Sequence, residues 1–248
     1  MPVLYLRRLT GKERSQTSNR HLALFLAFIA GAANAGGYLA VKQYTSHMSG
    51  VVSALADNVV LGETALVAAG LSALLAFVAG AAATAVLVNW GRRRSLHSEY
   101  AMPLMVEAGL LLAFGLLGSH LESQRWLFDP ATVLLLCFTM GLQNAIITKI
   151  SRAEIRTTHV TGLVTDVGIE LGKLVYWNRS RSPIGGSEVR ADRRKLWLLS
   201  SLVGLFFIGG VAGALGFRHI GFASTVPLAF VLVILAAVPV LDDLRKRA

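Results

Sequence analysis

The chain has 248 residues, of which 54% are apolar and 15% charged, with a mean hydropathy of +0.58. A soluble domain of this length needs a more polar surface, so the composition excludes an ordinary water-soluble globule and specifies a membrane protein. The net charge of +10 invites a nucleic-acid partner, but no aromatic-rich basic module accompanies it, and no nucleic acid is expected.

In chain order, a basic tail (1–20) precedes six apolar runs: 21–40, 64–89, 101–119, 131–149, 196–216 and 225–241. Each approaches the about 20 residues that cross a bilayer core. Each should be a helix, because lipid offers no partner for free backbone groups. The second run is the longest and should tilt or protrude. Two shorter segments, 48–62 and 160–172, follow the first and fourth runs. They are too short to cross comfortably and read as re-entrant or interfacial helices. Cys137, the single cysteine, sits in the fourth run as a small packing residue. It permits no internal disulfide, and no metal or other cofactor is expected. Ala33-Asn34-Ala35 resembles a signal-peptidase site, but the same Asn-Ala recurs at Asn144-Ala145, deep in the chain, so no cleavage is expected.

The basic residues fall in clusters: Arg7, Arg8, Lys12, Arg14 and Arg20; Arg92, Arg93 and Arg94; Lys149, Arg152 and Arg156; the loop 173–195; and Arg245, Lys246 and Arg247. With six spans and a cytoplasmic N-terminus, all these clusters lie inside, and only Lys42, Arg125 and Arg218 lie outside. That is the positive-inside pattern. It places both termini in the cytoplasm and brings the clusters to anionic lipid headgroups.

The chain also contains one pattern twice. Phe28–Ala35 (FIAGAANA) matches Phe138–Ala145 (FTMGLQNA), sharing the Phe, the Gly, the Asn and the last Ala. Thr45–Gly50 (TSHMSG) matches Thr157–Gly162 (TTHVTG). Farther on, Phe77-Val-Ala-Gly-Ala-Ala aligns with Phe207-Ile-Gly-Gly-Val-Ala, and Pro103-Leu104 with Pro227-Leu228. Three spans per half put the second half into the membrane upside down. The fold expected is therefore an all-α polytopic membrane protein of six transmembrane helices. They form two inverted three-helix repeats, 21–119 and 120–241, with short re-entrant or interfacial helices and a cytoplasmic tail, 242–248. Short, Gly-interrupted segments at matching positions of two halves are the best sequence pointer to a transport site.

The polar residues inside the apolar runs are the candidate site. Asn34, Gln143 and Asn144 read either as helix–helix glue or as amides that meet across the axis between halves to bind a polar solute. Gly31, Gly36 and Gly37 beside Asn34 would let the first helix unwind. The paired motifs supply Thr45, His47, Ser49 and Gly50, and Thr157, Thr158, His159, Thr161 and Gly162. Hydroxyls before a short helix are N-cap chemistry, and a helix N-terminus also attracts anions. Histidine changes charge near neutral pH, which makes His47 and His159 candidates for proton coupling. Asp57, Asp166 and Glu107 are candidate coupling residues, because an acid at membrane depth is costly and needs a reason. Asp57 and Asp166 do not share a register, and Glu107 corresponds to Val231. Small-xxx-small patterns at Ala79, Gly80, Ala83, Gly209 and Gly213 should let helices pack closely. No nucleophile triad, HExxH, phosphate loop or CxxC is present, so no enzyme is expected.

At Gly141-Leu142-Gln143-Asn144-Ala145 and Thr157-Thr158-His159-Val160-Thr161-Gly162 the chain resembles the YoaK-like family of bacterial inner-membrane proteins, whose function is undefined. The resemblance runs over about residues 20–241 and implies an inner-membrane location. It departs in the first half, where Asn34 stands at a position that tends to be Asp in that family. Val51 stands where the family has Asn. The expected function is a transporter or permease for a small polar or ionic solute, working by alternating access. The alternative is a non-transporting scaffold or lipid-interacting accessory protein. The partners expected are the bilayer and an unidentified solute, with self-association left open.

Overall fold

The structure is a computed structural model that describes residues 2–12, 14–121, 125–151, 157–176 and 189–246. Arg152, Arg156, Arg247 and most of the basic loop 173–195 lie outside the described residues. Every regular element described is a helix: α1 (Pro2–Thr10), α2 (Gln16–Val41), α3 (Met48–Leu61), α4 (Thr64–Arg93), α5 (Ala101–Leu121), α6 (Arg125–Ile150), α7 (Val160–Val175), α8 (Arg193–Ile220) and α9 (Thr225–Arg245). The sequence-derived runs fall inside α2, α4, α5, α6, α8 and α9, and the short segments become α3 and α7.

Five continuous runs are long and apolar enough to cross a membrane. The last, Arg193–Arg245, spans 53 residues. It is broken into α8 and α9 by Gly221, whose φ of 60° stops α8, and by the 3-10 turn Gly221–Ser224. In α4 only 22% of the most apolar window is buried, and Leu75, Val86, Phe207, Leu215 and Phe230 stand outward. So much exposed apolar side chain is expected only against lipid, consistent with an integral membrane protein.

Two helix crossings at backbone contact organise the bundle. In one, Gly31 of α2 lies against the Phe206 carbonyl of α8, and Gly209 of α8 lies against the Phe28 carbonyl of α2. In the other, Gly80 of α4 meets the Phe138 carbonyl of α6, and Gly141 of α6 meets the Phe77 carbonyl of α4. Each crossing is thus a reciprocal Phe-x-x-Gly pair, and a Cβ on any of the four glycines would overlap a carbonyl oxygen. The contact corrects the alignment of Phe77 with Phe207. Phe206-x-x-Gly209 makes the crossing, whereas Phe207 is 69% exposed. The sequence holds overlapping Phe-x-x-Gly frames one residue apart, and spacing alone does not choose between them.

The partners in each crossing run the same way. Gly36 meets the Phe217 ring farther along α2 and α8, and Thr84 Oγ1 donates to the Leu142 carbonyl farther along α4 and α6, at 2.9 Å. By contrast α2 and α6 run oppositely, with Asn19 at the start of α2 donating to the Ile150 carbonyl at the end of α6. The same holds for α5 and α9, where Gly115 packs on Thr225 while Ser98, before α5, binds Asp243 near the end of α9. The glycines beside Asn34 do not unwind α2, which stays continuous; Gly36 and Gly37 admit Phe217 and Leu136 instead.

The basic tail holds more structure than its charge suggests. Leu9 and Thr10 of α1 are fully buried, Thr10 Oγ1 donates to the Leu235 carbonyl at 2.7 Å, and Arg7 forms a two-bond ion pair with Asp242.

Adding a methyl at a crossing glycine forces backbone apart, whereas open helical glycines have room. Gly31→Ala, Gly80→Ala, Gly141→Ala and Gly209→Ala should each lower stability by about 1–3 kcal/mol. Gly109→Ala and Gly204→Ala, where nothing lies within 4 Å, should leave it unchanged or raise it. Melting of the purified variants in detergent reads the difference.

Candidate functional site

The paired motifs fold into the same local device. After α2 ends, the chain turns at Lys42 (φ 55°) and Tyr44 stacks on Tyr38, ring centroids 4.5 Å apart. This brings Ser46 back to Asn34, whose Oδ1 accepts from Ser46 Oγ at 2.8 Å and from the Ser46 backbone N–H at 3.4 Å. Asn34 lies seven residues before the end of α2, so the chain has returned about 10 Å along that helix before α3 begins. In the second half Thr158 Oγ1 donates to Asn144 Oδ1, and Asn144 Nδ2 donates to the Met140 carbonyl at 2.9 Å.

From these anchors α3 and α7 run back along the next helix. Val51 clusters with Ala73, and Leu55 packs on Gly70, so α3 and α4 form a hairpin closed by Gly62 (φ 74°). In the other half, Glu170 Oε2 accepts from the Asp192 N–H at 2.8 Å, and Lys195 Nζ lies 3.8 Å from Asp166 and 4.0 Å from Glu170. That ties the far end of α7 to the start of α8. Both short helices therefore begin at the level of the asparagines, partway along α2 and α6, and run back from there.

Their starts differ from the expected hydroxyl caps. The N-cap residues are His47 and His159, and neither terminus carries a side-chain cap. The hydroxyls of Ser46 and Thr158 are spent on the asparagines. The starts of α2 and α8, in contrast, are closed by Ser15 and by Asp192, which accepts from the Arg194 and Lys195 N–H groups. Gly50 and Gly162 also acquire a specific reason: a Cβ there would overlap the rings of His47 and His159. The His-x-x-Gly spacing lets each imidazole fold over its own helix start.

Both helix starts open on one cavity of about 800 Å³. Asn34, Ser46, His47 and Ser49 line it from the first half, and Asn144, Thr158, His159 and Thr161 from the second. Phe77 and Phe206, two of the four residues whose carbonyls meet the crossing glycines, also line it, with Tyr44, Met48, Thr148 and Val160. The cavity is open, since His47, Ser49, His159 and Thr161 are all exposed. Among the described residues, no aspartate, glutamate, lysine or arginine lines it.

The sequence candidates divide accordingly. Asn34, Asn144, Thr158, both histidines, Ser49 and Thr161 come together. Thr45 and Thr157 are buried beside the cavity rather than in its wall. Gln143 is fully buried away from it and donates to the Leu26 carbonyl at 3.3 Å, which makes it interhelical glue. Asp57 is exposed on α3, and Asp166 belongs to the Lys195 ion pair. Glu107 is fully buried with both oxygens unpartnered among the described residues, outside the cavity lining. Val231, its expected counterpart, is 36% exposed, so the two positions are not equivalent. Ser46, Phe77 and Phe206 were missed as site residues. The Phe-x-x-Gly repeat carried the signal for the last two.

A family model matches residues 22–238. The chain belongs to the family described as "Protein of unknown function (DUF1275)". Its match covers α2 through most of α9, including both paired motifs. No curated protein and no solved structure matches the chain.

The asparagine anchors should be separable from the glue. Ser46→Ala and Thr158→Ala each remove one hydrogen bond, an expected loss of about 0.5–1.5 kcal/mol. Gln143→Ala opens a cavity in the fully buried core and should cost more. Chemical denaturation of the three variants in mixed micelles measures the order.

Proposed function

We propose that this protein is a six-span inner-membrane transporter for a small polar or ionic solute, built from two inverted repeats that alternate access around the central cavity. The observation that carries this reading is the convergence of two matching half-helix starts, α3 and α7, on that cavity. Half-helices that end at a shared midplane site are the usual construction of a transporter binding site.

Several features support the inverted arrangement. Exchanging α2 with α6, α3 with α7, α4 with α8 and α5 with α9 turns the most extensive packings into others that exist: α2 on α8 becomes α6 on α4, and α3 on α4 becomes α7 on α8. The exchanged helices α2 and α6 run oppositely, as do α5 and α9. On this reading α3 and α7 are re-entrant from opposite faces, and both termini lie with the basic clusters in the cytoplasm. Asn34, Asn144, the motif hydroxyls and the histidines form the solute site.

Two experiments test the proposal. Single cysteines at Glu63 and Tyr176, the far ends of α3 and α7, on a Cys137→Ser background should react with an impermeant thiol reagent from opposite sides of the membrane. Labelling from one side would contradict inversion. In a solute screen by thermal shift, Asn34→Leu and Asn144→Leu should remain folded and lose any solute-dependent stabilisation of the wild type. A wild type that no solute protects would instead favour a scaffold.

A further inference from the structure

We infer that the solute of the central cavity is a small monovalent anion, such as nitrate or a short-chain carboxylate, held between the starts of α3 and α7. The inference rests on the transport reading above and specifies its substrate class.

The first argument is the balance of donors and acceptors. In α3 the first backbone N–H bonded within the helix is that of Val51, to the His47 carbonyl at 3.1 Å; in α7 it is that of Leu163, to the His159 carbonyl at 3.0 Å. The N–H groups of Met48, Ser49 and Gly50, and of Thr161 and Gly162, meet no acceptor among the described residues. The amide acceptors that a cation would need are already engaged: Asn34 Oδ1 takes two bonds from Ser46, and Asn144 Oδ1 takes that of Thr158. Backbone donors are free while both asparagine oxygens are engaged, which suits an anion.

The second argument is independent of the helix ends. Asn34 is only 8% exposed and lines the cavity. Its orientation is set, because the Ser46 N–H and O–H both donate to Oδ1. Its Nδ2 group therefore remains a donor with no acceptor among the described residues. Asn144 differs, since its Nδ2 bonds back to Met140. That amide donor opens on the cavity, where a ligand or water can meet it.

Charge then limits valence. Each helix start carries the equivalent of roughly +0.5 elementary charge, so the two starts that line the cavity offer roughly one. Among the described residues, no lysine, arginine, aspartate or glutamate lines the cavity to add to or oppose that field. One negative charge is matched, whereas a divalent anion would carry a second charge that the two helix starts do not compensate.

The test is a thermal-shift titration of the purified full-length protein with sodium nitrate and sodium acetate. Ionic strength is held with sodium HEPES, and choline and erythritol serve as cationic and neutral comparators. Saturable stabilisation by nitrate or acetate is expected. Asn34→Asp keeps an acceptor for Ser46 but removes the amide donor and adds a carboxylate; it should weaken the midpoint about tenfold or more. Asn58→Asp, the same change near the far end of α3, should not. Thr161→Glu places a tethered carboxylate at the exposed start of α7, a position where an acid favours the helix. It should abolish the response even where Asn34→Asp proves unstable. An anion effect indifferent to both Asn34→Asp and Thr161→Glu would overturn the inference. Protection by choline or erythritol but by neither anion, lost in Asn34→Leu, would also overturn it while leaving the transport reading intact. No protection by any solute would remove both.

Discussion

Backbone contact between helices is the constraint on which the rest of the structure depends. Lipid supplies no hydrophobic drive for one apolar helix to leave it for another, so close packing must supply the attraction. Here four glycines let two pairs of helices touch backbone to backbone, at Phe28/Gly209, Phe206/Gly31, Phe138/Gly80 and Phe77/Gly141. The positions of Asn34 and Asn144 follow, because each lies one turn beyond a crossing glycine on the same helix. The phenylalanine whose carbonyl receives that glycine turns into the cavity wall. The same short pattern sets helix spacing and cavity floor together.

A second level is polar and depends on the first. Each asparagine calls its hydroxyl partner back along the bundle, and this return sets a helix start at the level of the cavity. The hydroxyls could have capped those helices. Because they bind the asparagines, the N–H groups of α3 and α7 stay available in the cavity. The histidine rings fold over Gly50 and Gly162 without capping the helices. A device that satisfies its own amide acceptors while leaving backbone donors unmet is costly unless something else meets them.

Much of this was legible in the sequence, for physical reasons that can be named. The spans were readable because bilayer thickness sets a length and lipid forbids unpaired backbone. The two motifs were readable because the same device is written twice. The frame of the Phe-x-x-Gly pair in α8 was not, since overlapping frames occur one residue apart and only contact separates them. The destination of the hydroxyls was also hidden: Ser46 and Thr158 have the spacing of caps, and only the return of the chain to Asn34 and Asn144 redirects them. Gln143 looked like a site residue because an amide in an apolar run is expensive wherever it goes; its Nε2 meets the Leu26 carbonyl on a neighbouring helix, while its Oε1 has no partner among the described residues. Glu107 keeps its puzzle: its carboxylate is buried beyond reach of the cavity, and nothing in the structure explains it.

The central claim is that the starts of α3 and α7 face each other across one cavity. Cross-linking Ser49→Cys to Thr161→Cys with a short rigid bis-maleimide, on a Cys137→Ser background, tests it most directly. The account predicts an intramolecular bridge, seen as two halves that stay joined after tryptic cleavage at Arg92–Arg94. Efficient labelling of each cysteine alone with no bridge between them would contradict it.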